Sequence, residues 1–357
     1  MLFADSEAQK LLRSTARSYL AERFPWERLY ALEEGEALTS DELRGLAERG
    51  WFALLAPESA GGGGASLLEA AAVVEEFGYA AFPAPVLVAN VAADLLARSG
   101  APAAEALASL AAGDRLYTVA EGNRRRDPDI APGLLPRVPF ADVCDAVLAP
   151  AEADGSTVFA LVPLAGASKD RVAMTDRASS FDVRLDGVEG ATVLARGEDA
   201  ARLHDRCDVL ATAFSLVELA GMMRRTMEMT GEYISNRVQF GQPIASFQAA
   251  RHRAAELLMQ TETARWTAYQ ALWRLQQDDN DIDGVWLAKH WAVRASARVF
   301  EVAHLLHGGV GVGTEYPLHL LTQGIAAFAV RAGAMDEMVD RTIESIRPDG
   351  RPSGRSP

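Results

Sequence analysis

Cysteine is scarce: the chain of 357 residues has two, Cys144 and Cys207, far apart in sequence. Two thiols supply neither a disulfide framework nor the ligand set of a structural zinc site, and they fit a reducing cytoplasm. Long apolar runs are absent too. Charges or helix breakers interrupt each one before the roughly 20 residues that a membrane-spanning helix needs. The opening MLFADSEAQKLLRS has no basic start followed by an apolar stretch, so no secretory signal is read there. Positive charge is in deficit, with 35 Lys and Arg against 49 Asp and Glu and a net charge of −14. Nucleic acid needs a basic face, so it is a poor partner. The one basic cluster, Arg124-Arg125-Arg126, runs straight into Asp127 and reads as a solvated loop.

Several catalytic signatures are also missing. No Gly-x-Ser-x-Gly elbow occurs, which removes support for a hydrolase of that kind. His290, His304 and His307 share a helical stretch, but no i, i+4 histidine pair with a carboxylate appears, so they read as structural rather than metal-ligating. The glycine run Gly61–Gly64 lacks the Gly-Lys-Ser/Thr of a phosphate-binding loop and reads as a flexible connector.

What is present is ample apolar material, 49% of residues, and a length that fits two or three domains. Residues 1–112 read as helical, with Leu11, Leu12, Ala16, Tyr19 and Leu20 at helical spacing and a helix start at Ser40. Further helices are expected over Ser66–Phe77, Ala84–Arg98 and Ala101–Ala111. Residues 113–199 change character: Leu116–Ala120, Ala146–Ala149, Thr157–Val162 and Phe181–Leu185 are short and β-rich, separated by Asp, Gly and Pro. Residues 200–347 return to helix, over about 201–235, 247–279 and 283–307, with two more after Gly313. Trp266, Tyr269 and Trp273 make an aromatic stripe that reads as core or subunit interface. Residues 348–357 read as a disordered tail. The fold class is α+β: helices, a small β-barrel-like domain, then helices.

One stretch concentrates chemistry. Tyr233–Gln248, YISNRVQFGQPIASFQ, lies between two long helical patterns. Gly241 and Pro243 are expected to stop the first helix, and Ser246 to cap the next. Arg237, Gln239, Phe240 and Gln248 then stand at a corner. A guanidinium beside an aromatic ring suits a ligand with phosphates and a flat ring system, and an ordinary helix–loop–helix joint is the other reading.

At Arg237-Val238-Gln239-Phe240-Gly241-Gln242-Pro243-Ile244, then Phe247-Gln248, the chain resembles the acyl-CoA dehydrogenase family. Ala56-Pro57-Glu58 with Gly62-Gly63, Val74-Glu75-Glu76-Phe77-Gly78, and His307-Gly308-Gly309-Val310-Gly311 with Glu315-Tyr316-Pro317-Leu318 fall in family order. The resemblance implies an N-terminal helical domain, a middle β-domain, a C-terminal four-helix bundle, assembly as dimers or dimers of dimers, FAD, and α,β-dehydrogenation of an acyl-CoA thioester. In the family the corner reaches across to the FAD of the neighbouring subunit. By resemblance Arg237 pairs with the pyrophosphate, Phe240 packs on the cofactor and Gln248 hydrogen-bonds it. Gln239, Ile244 and Phe247 complete that set, and Gly308 and Gly309 let backbone approach the adenosine half. Leu305 departs from the family's glutamine.

The flavin's home side and the base depart further. The family's Ala-Gly-Ser-Asp loop corresponds to Thr118–Asp127, where the Gly-Ser pair is gone, and no tryptophan occurs between Trp51 and Trp266. The positions that carry the catalytic glutamate in the family hold Ala332, with Gly333 after it, or Ala211, with Thr212 replacing an arginine. The nearest carboxylate on that helix, Glu218, is about 10 Å on. It lies in an apolar stretch that could bury it, as a candidate base or as a structural glutamate. The pattern resembles the non-catalytic subunit of the actinobacterial α2β2 acyl-CoA dehydrogenases of steroid side-chain degradation. It implies a paralogous partner subunit in a heterotetramer, which binds most of the acyl-CoA and supplies the base. Two alternatives stay open. One is a self-sufficient enzyme, either a dehydrogenase using Glu218 or Glu121 or a flavin-independent acyl-CoA lyase or hydratase. The other is a binding paralogue without turnover.

Overall fold

The computed structural model describes residues 4–120, 133–153, 155–175, 177–185, 188–279 and 281–332. Six helices come first: α1 Glu7–Arg23, α2 Trp26–Glu33, α3 Ser40–Ala47, α4 Leu67–Tyr79, α5 Val86–Ser99 and α6 Ala104–Ala112. Seven strands follow: β1 Tyr117–Val119, β2 Leu134–Pro139, β3 Ala146–Ala153, β4 Ser156–Pro163, β5 Ser168–Arg171, β6 Ser180–Arg184 and β7 Thr192–Arg196. Then come α7 Gly197–Asn236, a two-strand ribbon (β8 Val238–Gln239, β9 Gln242–Pro243), α8 Gln248–Gln277, α9 Asp283–His307 and α10 Leu318–Arg331. The expected second helix after Gly313 and the tail over 348–357 lie outside the described residues.

Local chemistry sets the helix starts. Ser6 and Gln9 form a capping box on α1, and Thr39 and Glu42 form another on α3, so the cap is one residue before the expected Ser40. The strands form a sheet ordered β1-β3-β4-β7 and a second ordered β2-β6-β5, with β1–β3 parallel and the other pairs antiparallel. Three of these strands escape sequence periodicity. β2 carries Pro136, Pro139 and a register shift between Leu135 and Val138, β5 is the polar SKDR, and β7 is a short sheet edge. The glycine run is not a flexible connector. Gly63, Gly64 and Ala65 donate amides to Ala53, Ala56 and Leu54, and a Cβ on Gly62 would lie 2.3 Å from Ala56.

The chain forms two compact units. One comprises Glu27–Val74 and Pro83–Ala211, with both sheets and an apolar α5. Within it Asn90 is buried and ties α5 to the Trp51–Leu55 loop through its amide. The other comprises Met1–Trp26, Glu75–Phe82 and Thr212–Pro357, and holds the chemistry described below. Its packing turns on two glycines. A Cβ on Gly78 would lie 1.9 Å from the Glu218 carbonyl oxygen, and one on Gly221 would lie 2.0 Å from that of Glu75. This close approach of α4 to α7 carries a buried charge cluster. Arg265, Arg13 and Arg224 meet the Glu75 carboxylate at 2.9, 2.9 and 3.2 Å, and the Tyr269 hydroxyl donates to it at 2.7 Å. Glu76 takes Arg13, Arg17 and Arg224. The aromatic stripe on α8 is thus core at Tyr269. Burial alone would raise the Glu75 carboxyl, but the surrounding Arg13, Arg265 and Arg224 guanidiniums outweigh that and hold it at about 2.

Candidate functional site

The corner after α7 is a hairpin. α7 ends at Asn236, before Gly241 and Pro243, so those residues do not stop the helix as expected. The Arg237 amide still donates to Tyr233 at 2.8 Å, after which Val238 pairs with Pro243 and Gln239 with Gln242. Phe240 and Gly241 make the turn with φ of +53° and +81°. Two successive positive φ values are the signature of the tight hairpin turn that matches strand twist. Glycine adopts that conformation freely, whereas a phenylalanine there is strained by roughly 1 kcal/mol. The strained ring is 92% exposed. A strained, exposed aromatic contributes nothing to this chain's own core, which marks it for an external contact.

Ser246 is not the cap of α8. It ends a 3₁₀ turn over Ile244–Ser246 and donates its hydroxyl to Pro243, while Phe247 occupies the cap position with no side-chain hydrogen bond. Phe247 meets Phe240 edge-on at 6.2 Å. Arg237, Gln239 and Gln248 are exposed, Ile244 and Phe247 half-buried. Among the described residues no carboxylate forms an ion pair with Arg237, whereas the guanidiniums of the buried cluster are all paired.

The second segment follows α9. Gly308 has φ +60° and opens a 3₁₀ turn over Gly308–Val312. A Cβ on Gly309 would meet nothing within 4 Å, so no contact of this chain demands glycine there, and an outside group has room to approach the backbone. The His304 imidazole donates to the Gly311 carbonyl, and its Nε2 lies in hydrogen-bond contact with Thr322 Oγ1 at 3.0 Å on α10. His307 Nδ1–H donates to the Ala303 carbonyl at 2.8 Å. Both imidazoles are held below the usual histidine range, first by burial. No group of three or more His, Cys, Asp or Glu side chains that could hold a metal ion occurs among the described residues. Leu305 is 59% exposed beside this turn.

The two segments meet through an aromatic stack that sequence reading missed. The Tyr233 ring lies on His307 with centroids 4.5 Å apart and planes 24° apart, and Tyr316 closes the cluster at 5.2 Å from His307. Tyr233 sits one turn before Arg237, and His307 immediately precedes Gly308. The aromatic residue a helical turn ahead of the arginine was the available signal.

Neither of the two expected base positions carries a carboxylate. Ala332 closes α10 and Ala211 is buried in α7, each presenting a methyl group. Glu218 is half-buried rather than enclosed, although Leu216, Val217, Leu219 and Ala220 around it are buried. Glu121 and Gly333 lie outside the described residues. Thr118 is fully buried, and its hydroxyl donates to the Pro139 carbonyl.

Residues 6–114 match the family model for the acyl-CoA dehydrogenase N-terminal domain, and residues 212–346 match that for the C-terminal domain. The chain is 34% identical over 302 residues to acyl-CoA dehydrogenase FadE27 of Mycobacterium tuberculosis, covering 77% of this chain and 80% of the relative. The chain belongs to the acyl-CoA dehydrogenase family. As a member of that family it shares the fold of N-terminal helical, middle sheet and C-terminal helical domains. It superposes on the crystal structure of the ChsE4–ChsE5 complex from Mycobacterium tuberculosis with TM-score 0.86 and 28% identity, over 98% of this chain and 100% of that one. A variant of the Tcur3481–Tcur3483 steroid ACAD gives TM-score 0.84 and 25% identity, over 95% and 98%.

Proposed function

We propose that this chain is the FAD-completing, non-catalytic subunit of a heteromeric acyl-CoA dehydrogenase. In this reading residues 1–112 are the N-terminal helical domain, 113–199 a shortened β-domain and 200–347 the C-terminal bundle. The observation that carries it is the exposed hairpin, with its ion-pair-free Arg237 and strained Phe240, in a chain whose two base positions are Ala332 and Ala211. FAD supplies the hydride acceptor for α,β-dehydrogenation of an acyl-CoA thioester. This chain's part is to bind and orient that cofactor for a neighbour. Arg237 neutralises the pyrophosphate, Phe240 covers the ring system, and Gln239 and Gln248 offer amides. Ile244 and Phe247 back the hairpin, and the open backbone at Gly308 and Gly309 receives the adenosine half.

A paralogous partner subunit supplies the carboxylate base and most of the acyl-CoA contacts, in a heterotetramer. Support for a partner comes from the two similar solved structures, each of a pair of differently named chains. The word steroid in the second title supports a steroid side-chain thioester as the substrate class. No helix among the described residues is long and apolar enough to cross a membrane, which fits a cytoplasmic site of action.

The test is expression of this chain alone and together with its genomic neighbour. The lone chain is expected colourless, the complex yellow and active, and Arg237→Ala in this chain is expected to strip flavin from the complex. A yellow, active homo-oligomer from the lone chain would overturn the proposal.

A further inference from the structure

The Tyr233–His307 stack carries a consequence for how a cofactor is gripped. His307 is 3% exposed, its Nδ1–H is committed to the Ala303 carbonyl, and burial holds the imidazole below the usual histidine range, which favours the neutral ring with Nε2 as an acceptor. Nε2 is buried and has no partner among the described residues. A leucine would fill the same space and leave no unpaired polar atom, so packing alone does not explain a histidine here. What the flat ring adds is its stack on Tyr233 at 4.5 Å, flanked by Tyr316 at 6.1 Å from Tyr233.

Each partner is covalently close to one gripping segment. Tyr233 accepts the Arg237 amide at its carbonyl, and so fixes where the hairpin leaves α7. His307 is the last residue of α9, directly before the Gly308–Val312 turn. The far end of that turn is fixed independently by His304, between the Gly311 carbonyl and Thr322. The turn is therefore anchored to α10 at one end and to the hairpin's base at the other.

We infer that His307 and Tyr233 form a clasp that sets the spacing between the hairpin and the glycine turn, making His307 a positioning residue for a dinucleotide held at both its pyrophosphate and its adenosine. The inference rests on the half-site reading above. His307 acts through the two segments and touches no reacting atom.

The test uses the coexpressed complex, with FAD affinity read by flavin fluorescence on reconstitution of the deflavinated protein. His307→Leu is expected to raise the Kd for FAD about tenfold, the scale of one lost aromatic stack and the order it imposes. His307→Phe, which keeps a flat ring on Tyr233, is expected to stay within about twofold of wild type. Tyr233→Leu is expected to match His307→Leu, and it stands in if that variant does not fold. In an Arg237→Ala background, His307→Leu is expected to add less than about twofold, because a clasp matters only while both grips hold. Binding of FMN, which lacks the adenosine half, is expected to be indifferent to His307→Leu. Wild-type FAD affinity in His307→Leu, alongside weakening by Arg237→Ala, overturns the clasp and leaves the half-site reading standing. Full additivity with Arg237→Ala also overturns it, since that is the mark of general destabilisation. No effect of Arg237→Ala on FAD overturns the half-site reading itself.

Discussion

Replacing Glu75 by glutamine tests the energetic centre of the bundle unit. The Glu75 side chain is fully buried and meets three guanidiniums at 2.9–3.2 Å and the Tyr269 hydroxyl at 2.7 Å. Glutamine keeps the shape but removes the charge, leaving Arg13 and Arg224 with Glu76 as their buried counter-charge and Arg265 with Asp5 at 3.6 Å. Removing one partner of a buried ion pair typically destabilises by 3–5 kcal/mol, roughly, because the remaining charges stay desolvated. A second route gives a similar size. A carboxyl held at about 2 in the fold instead of 4.5 favours the charged native form by about 3 kcal/mol. With a urea slope of about 3 kcal/mol per M, the midpoint followed by far-UV circular dichroism falls by roughly 1 M. The sign of the pH dependence follows from the depressed value. Stability from Glu75 is present above the unfolded carboxyl range, near 4.5, and is lost as pH falls from there towards about 2. Glu75→Gln is therefore expected to lose stability at pH 7 and to show a shallower decline below pH 4.5 than the parent chain. A midpoint within about 0.2 M of wild type at pH 7 would refute the argument that this cluster is a net stabilising anchor.

Two further outcomes follow from the site. Phe240→Asn is expected to stabilise the chain by about 0.5–1 kcal/mol in thermal or urea unfolding, because asparagine tolerates the left-handed turn. The same variant is expected to weaken FAD retention by the complex about tenfold, and a stability gain with unchanged FAD affinity contradicts the role given to the ring. Glu218→Gln is expected to leave the steady-state rate of the complex within about twofold, since in the proposed reading the partner subunit supplies the base. A loss of about a hundredfold or more returns catalysis to this chain.

The long helices were legible because their caps and apolar spacing are local. The stretch 283–307 is read from sequence and observed with the same bounds. β2, β5 and β7 were not legible, because prolines, polarity and edge position erase the alternation on which strand reading depends. The corner was legible as a concentration of guanidinium, amides and an aromatic ring, but not as a hairpin. Asn-Gly is the usual signal for that turn, and Phe-Gly conceals it. The partners of Glu75 and Glu76 were hidden for another reason: their arginines come from α1, α7 and α8, and only the close glycine crossing of α4 on α7 brings them in. The Tyr233–His307 stack is likewise a meeting of two helix ends that no local period reveals.

The central claim is that this chain completes a flavin that belongs to another polypeptide. The ratio of FAD to total chain in the purified complex tests it most directly, by flavin absorbance against quantitative amino-acid analysis. One FAD per two chains is the predicted result, and one FAD per chain contradicts it.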